Sequence, residues 1–87
     1  MPYIKKEERI KFDNSALTIA SNASNCGDLN YAITVIIQEY IKKKGLNYAT
    51  LNDVHGMLYA CNAELYRRIT GPYENTKVEQ NGDVNRV

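Results

Sequence analysis

The stretch Asn47–Glu74, NYATLNDVHGMLYACNAELYRRITGPYE, decides the fold. Its residues Leu51, Val54, Leu58, Cys61 and Leu65 recur at spacings of three and four, a seam suited to packing against other helices. The start falls at Asn47 or Thr50, where Thr50 and Asp53 resemble a capping box with Asp in place of Glu. Gly71-Pro72 predicts the end, because proline lacks the backbone N–H and clashes with the carbonyl four residues earlier. The expected helix spans 48–70.

Two more rows lie on that helix. Rotated by about 100° from the seam are Asn52, His55, Tyr59, Asn62 and Tyr66, followed by Arg67 and Arg68. An imidazole, two carboxamides and two phenols along about 20 Å of one face suit nucleobases, sugars or another protein's backbone. The simpler use of such a row is to cover a core edge while its polar tips stay in water. Arg67 and Arg68 offer charge for phosphate or carboxylate, and cations also favour the end of a helix through its dipole. The third row is Gly56, Ala60 and Ala63. A mid-helix Gly costs about 1 kcal/mol relative to Ala, so a close helix crossing, within the subunit or at an oligomer interface, is its expected compensation. A ligand lying on the helix is the sharper alternative.

Working upstream, residues 1–12 read as an N-terminal arm anchored by Tyr3, Ile4, Ile10 and Phe12, with one helical turn available at Lys5–Arg9. A helix over 13–24 is expected behind an Asp13 cap, with Phe12, Ala16, Ile19, Ala20 and Ala23 at helical spacing. Its many Ser, Thr and Asn residues compete for backbone hydrogen bonds, so packing must hold it. After a break at Asn25–Gly27, Asp28 is read as the cap of a helix over 28–44. Leu29, Ala32, Ile33, Ile36, Ile37, Tyr40 and Ile41 give it an apolar stripe wide enough for contact on two sides. Gly45 stops it after Lys42, Lys43 and Lys44. The short link that follows predicts antiparallel neighbours.

Downstream, Pro72 suits the first turn of a short helix over 73–80, with a stop at Asn81-Gly82 and a tail 81–87. A hairpin turning on Asn81-Gly82 is the alternative, although only Val78 and Val84 flank it as β-branched residues. The expected fold is all-α: a small antiparallel helical hairpin or bundle, one domain over 1–87.

A chain of 87 residues buries only about 60% of the surface its unfolded form exposes. Such a chain is expected to self-associate, as a homo-oligomer of two or more copies. With 11 basic and 10 acidic residues the net charge is +1, which gives no electrostatic reason to expect nucleic acid or a membrane surface as partner. Without a signal-like or transmembrane run, Cys26 and Cys61 are expected as reduced thiols in the cytoplasm.

Catalytic chemistry is not expected. One turn beyond His55 stands Tyr59 rather than a nucleophile or acid, Asp53 points to another face, and Cys61 lies in the apolar seam. Glu64 and Arg68 are spaced for a surface ion pair. With one His and no ExxE, ExxH or phosphate-cradling loop, neither metal nor cofactor is implied.

Five segments, MPYIKKEER (1–9), DLNYAIT (28–34), YATLNDVHGMLYACNAELYRR (48–68), GPYE (71–74) and NGDV (81–84), resemble an uncharacterised family of short bacterial, archaeal and phage proteins. The resemblance spans nearly the whole chain and implies a compact helical fold. Relatives often carry an acidic residue near the position of Tyr59, so an acidic site there does not carry over. The resemblance also implies a phage or prophage setting, in which small proteins commonly block a host protein, hold a nucleotide signal away from a defence system, or regulate transcription. The expectation is a non-catalytic binding protein acting through the polar-aromatic row on a host protein or a nucleotide-like ligand. The alternative is a small DNA-binding regulator, against which the near-zero charge counts.

Overall fold

A computed structural model describes residues 2–87, and every regular element among them is helical: α1 (Lys6–Asn22), α2 (Cys26–Lys44), α3 (Tyr48–Leu65), a π-helical turn (Tyr66–Thr70) and α4 (Gly71–Asn81). No strand forms among the described residues, so the hairpin at Asn81-Gly82 is not taken up. The chain divides into two compact units, one over Tyr3–His55 and one holding Gly56–Val87.

In the Tyr3–His55 unit, α1 starts seven residues before the expected Asp13 cap and takes in much of the stretch read as an arm. Glu7 and Glu8 lie in its first turn, where the helix dipole favours carboxylates. The Arg9 Nε donates to the Ile4 carbonyl at 2.9 Å, and Lys11 pairs with Glu8 at 2.7 Å. These local contacts outweigh the cap potential of Asp13. Packing is not what holds α1: it has no buried residue, and Ile10, Phe12 and Leu17 are exposed. Thr18 and Ser21 return their hydroxyls to the carbonyls of Asn14 and Thr18 within the same helix, which satisfies the hydroxyls but adds no stability to it.

The cap of α2 is Asn25, not Asp28. Asn25 Oδ1 accepts the Asp28 N–H at 2.9 Å, and Asp28 Oδ2 accepts the Ser24 N–H at 2.9 Å. Asp28 is thus the returning half of a pair like a capping box, its carboxylate reaching the N–H one residue before the cap, and the helix starts at Cys26. α1 and α2 meet at this corner, around a cavity of about 180 Å³ lined by Ile19, Asn22, Ala23, Asp28 and Ala32. The wide stripe of α2 is covered unevenly: Ala32, Ile37 and Ile41 are half-buried, while Leu29, Ile33, Ile36 and Tyr40 stay exposed. Gly45 ends the helix at φ 108°, its N–H donating to the Ile41 carbonyl at 2.7 Å; that φ favours glycine. Asn47 then caps α3 through Oδ1, which accepts the Thr50 N–H at 2.9 Å. Thr50 therefore lies inside the helix, where it and Val54 are buried.

In the Gly56–Val87 unit, the expected stop at Gly71-Pro72 does not occur. Leu65, Thr70 and Gly71 all keep right-handed helical angles, and α4 follows the π turn without a break. The Gly71 N–H donates to the Tyr66 carbonyl, five residues back. In an α-helical register the Pro72 ring would press on the carbonyl of Arg68; one widened turn relieves that clash, so the helix continues. The stop at Asn81-Gly82 does occur, with Gly82 at φ 88° donating its N–H to the Val78 carbonyl at 2.9 Å. Because α4 prolongs α3 rather than folding back, it gives the seam no cover. Leu51 is half-buried and Val54 buried, but Leu58, Cys61 and Leu65 are exposed.

Candidate functional site

α3 and its π-helical continuation carry the whole polar-aromatic row, and all its members are exposed. Asn52 and His55 belong to the Tyr3–His55 unit; Tyr59, Asn62, Tyr66, Arg67 and Arg68 belong to the Gly56–Val87 unit. Tyr59 is 76% exposed. Asn52, His55, Tyr59 and Asn62 make no side-chain hydrogen bond to another described residue. Side chains that merely cover a core edge would be half-buried by their rings; Tyr59 is not. Its phenol and the Asn62 amide face water as unpaired donors and acceptors beside a flat aromatic surface.

Tyr66 behaves differently. Its hydroxyl donates to the Glu74 carboxylate across the π turn, and that bond, together with the carboxylate's charge, raises the Tyr66 pKa above its ordinary 10.0. The two arginines also divide. Arg67 Nη2 donates to both carboxylate oxygens of Glu64, at 3.1 and 3.2 Å, an i,i+3 pair in place of the expected Glu64–Arg68 pair. Arg68 is exposed and makes no ion pair with another described residue. Arg68 thus carries an unpaired guanidinium, but two residues on from Tyr66 it stands on another face of the helix, while Arg67 is held along the helix.

The sequence reading missed Glu74, Tyr73 and Lys77. Lys77 Nζ lies 5.6 Å from the Tyr73 ring centre and 3.3 Å from Gln80 Oε1. A surface depression of about 330 Å³ is lined by Glu74, Lys77, Val78, Asn81, Gly82 and Val84. The signal was present: Tyr73 and Lys77 stand four apart and Tyr66 and Glu74 eight apart, both same-face spacings on a helix. The expected break at Pro72 separates Tyr66 from Glu74 and hides that pair; Tyr73 and Lys77 fall together inside the expected helix over 73–80 and are legible there.

In the small-residue row Gly56 and Ala63 are exposed and Ala60 is half-buried. A Cβ built at Gly56 would meet no atom of the described residues within 4 Å, so no helix of its own unit crosses closely there. Cys26 and Cys61 are both free and exposed, with the Cys61 thiol 3.7 Å from the Met57 sulfur. Among the described residues no three His, Cys, Asp or Glu side chains cluster as a metal site, and no helix is long and apolar enough to cross a membrane.

The model of a family described as a domain of unknown function (DUF6899) matches residues 1–84, so the chain belongs to that family, one of short proteins without an established function. Neither the curated proteins nor the solved structures compared with the chain yield a match.

Proposed function

We propose that this protein is a non-catalytic binding module of the cytoplasm, a small antiparallel helical oligomer that acts in a phage or prophage setting on a host protein. The contact surface is the exposed set Tyr59, Asn62 and Tyr66 of the Gly56–Val87 unit, with Arg67 and Arg68 following it along the helix; Asn52 and His55 are separate candidates in the Tyr3–His55 unit. Blocking a host defence protein is the role that suits such a module. One observation carries the proposal: Tyr59 is 76% exposed with no hydrogen-bond partner among the described residues. Tyrosine and arginine are the residue types that dominate protein interfaces when desolvated. The same exposure argues against the nucleotide-like ligand, since small-molecule sites bury most of their ligand within concave walls. The DNA-regulator alternative is weakened by the Glu64–Arg67 pair, which neutralises one of the two adjacent arginines.

The test places a photo-crosslinking residue at Tyr59 or Asn62 in expressing cells, with Glu7 as a control position. A host protein crosslinked from 59 and 62 but not from 7 is then purified and titrated. Tyr59→Ala combined with Tyr66→Ala should keep the circular dichroism spectrum and weaken binding at least tenfold. Equal binding by the double variant sinks the proposed surface. A gel shift on random DNA at low salt checks the alternative, because phosphate contacts give measurable non-specific binding.

A further inference from the structure

The Gly56–Val87 unit holds one unbroken helical run, Gly56 through Asn81, and a short tail. Along it Leu58, Leu65, Ile69 and Tyr73 recur at helical spacing, and they are 37%, 51%, 63% and 62% exposed. The π turn sets this condition: by absorbing Pro72 it sends α4 onward instead of back over Leu58 and Leu65. A lone helix is marginal in water even with good propensity, and most helical stability comes from packing an apolar face. The stripe calls for a cover that its own unit does not supply.

We propose that the cover is the same stripe of a second copy of this chain, so that two Gly56–Asn81 helices pair through Leu58, Leu65, Ile69 and Tyr73. Charge permits a like partner. The run carries three acids (Glu64, Glu74, Glu79) and three bases (Arg67, Arg68, Lys77), so its net charge is zero. Such a surface neither repels its own copy nor selects a partner of opposite sign. Several of these charges are already satisfied along the helix, through Glu64–Arg67 and Tyr66–Glu74, which keeps them from needing groups across the interface. Area is sufficient. The run is roughly 40 Å long, and a large aromatic such as Tyr73 buries about 150–250 Å² when fully covered. Four half-exposed anchors and their flanks on each of two helices reach on the order of 1,000 Å², the lower bound for a specific interface. An interface of that size implies association that depends on concentration. This stripe lies on the opposite side of the helix from the row Gly56, Ala60 and Ala63. Asn62 stands four residues from Leu58 and three from Leu65 and so borders the stripe, whereas Tyr59 lies about 100° around the helix from Leu58, so binding read at Tyr59 separates a failure of the pairing from a failure of the proposed binding surface.

Sedimentation velocity and light scattering across 2–200 µM protein test the pairing. The wild-type chain should move from 9.9 kDa toward twice that mass as concentration rises. Leu65→Arg with Ile69→Arg should hold it at the monomer mass at 200 µM, with binding through Tyr59 still detectable. Gly56→Leu should leave the dimer intact. If the arginine variant does not fold, hydrogen exchange of the wild-type chain replaces it: amides between 58 and 73 should gain protection as concentration rises, those of α1 should not. A wild-type monomer throughout the range, an unchanged dimer in the arginine variant, or dissociation by Gly56→Leu each overturns the pairing.

Discussion

Replacing Gly56 by alanine measures directly whether the small-residue row is used. Gly56 sits in the middle of α3 with ordinary negative φ, since only Gly45 and Gly82 have positive values. A Cβ added there meets no atom within 4 Å, so the substitution carries no steric cost in the isolated chain. What remains is the backbone entropy of the unfolded state and the helix propensity, which together favour Ala by about 0.4–1 kcal/mol. For a domain of this size 1 kcal/mol moves Tm by about 4–8 °C, so an increase of about 2–8 °C is expected. Circular dichroism melts at matched protein concentrations are the assay, because self-association makes Tm depend on concentration. A lower Tm, or loss of the assembled species, refutes the reasoning: Gly56 would then lie against a neighbouring backbone, and the row with Ala60 and Ala63 would be the oligomer contact after all.

The same substitution at Gly71 should have the opposite sign, since its Cβ would come within 3.1 Å of the Tyr66 carbonyl oxygen. That oxygen is fixed by accepting the Gly71 N–H, so Gly71→Ala should lower Tm, and an increase would mean that the π turn is easily remodelled. Asn47→Ala removes the acceptor of the Thr50 N–H beside the buried Val54 and should destabilise by about 1 kcal/mol, read from urea unfolding; no change would show that Asn47 does not cap α3. Tyr66 links stability to alkaline pH. Its folded pKa is raised above 10.0, so the phenol–carboxylate contact is fully present below pH 10 and is lost as pH climbs through the raised value. In an ultraviolet titration Glu74→Gln should bring one of the seven tyrosines back toward ordinary ionisation; superimposable curves would deny the contact.

Local chemistry explains which parts of this fold were readable in the residues. Gly45, Asn47 and Asn81-Gly82 act through hydrogen bonds confined to a few neighbours, and these boundaries lie close to where their residue types place them. The start of α1 was misjudged because Asp13 is a good cap in isolation, whereas two carboxylates in an earlier turn and the Arg9–Ile4 bond favour a longer helix. Asp28 is likewise a good cap in isolation, but Asn25 accepts the N–H of Asp28 itself and so starts the helix earlier, leaving the Asp28 carboxylate to accept the Ser24 N–H. Periodicity alone places Asn52, His55, Tyr59 and Asn62 on α3, whereas Tyr66, Arg67 and Arg68 fall in the π turn, which no spacing in the sequence announces. The pairing of Tyr66 with Glu74 was not legible either, because it crosses a proline taken to end the helix.

Pro72 has the widest consequences. A helix that broke there would let α4 turn back, and its residues would cover Leu58 and Leu65 in a conventional hairpin. The i→i+5 bond from Gly71 to Tyr66 removes the break, and the physical cost of the seam's exposure passes from the chain to whatever covers it. The turn also brings Glu74 to Tyr66, so one backbone irregularity both opens an apolar stripe and fixes a phenol of the neighbouring polar row. Tyr59 lies about 100° around the helix from Leu58. Covering the apolar stripe would therefore stiffen the helix that displays Tyr59 without occluding its phenol, and a dimer would present that phenol twice. Two linked copies bind a repeated or dimeric target far more tightly than one. Self-association through Leu65 and Ile69 thus bears on affinity at Tyr59 although neither residue belongs to the proposed contact surface.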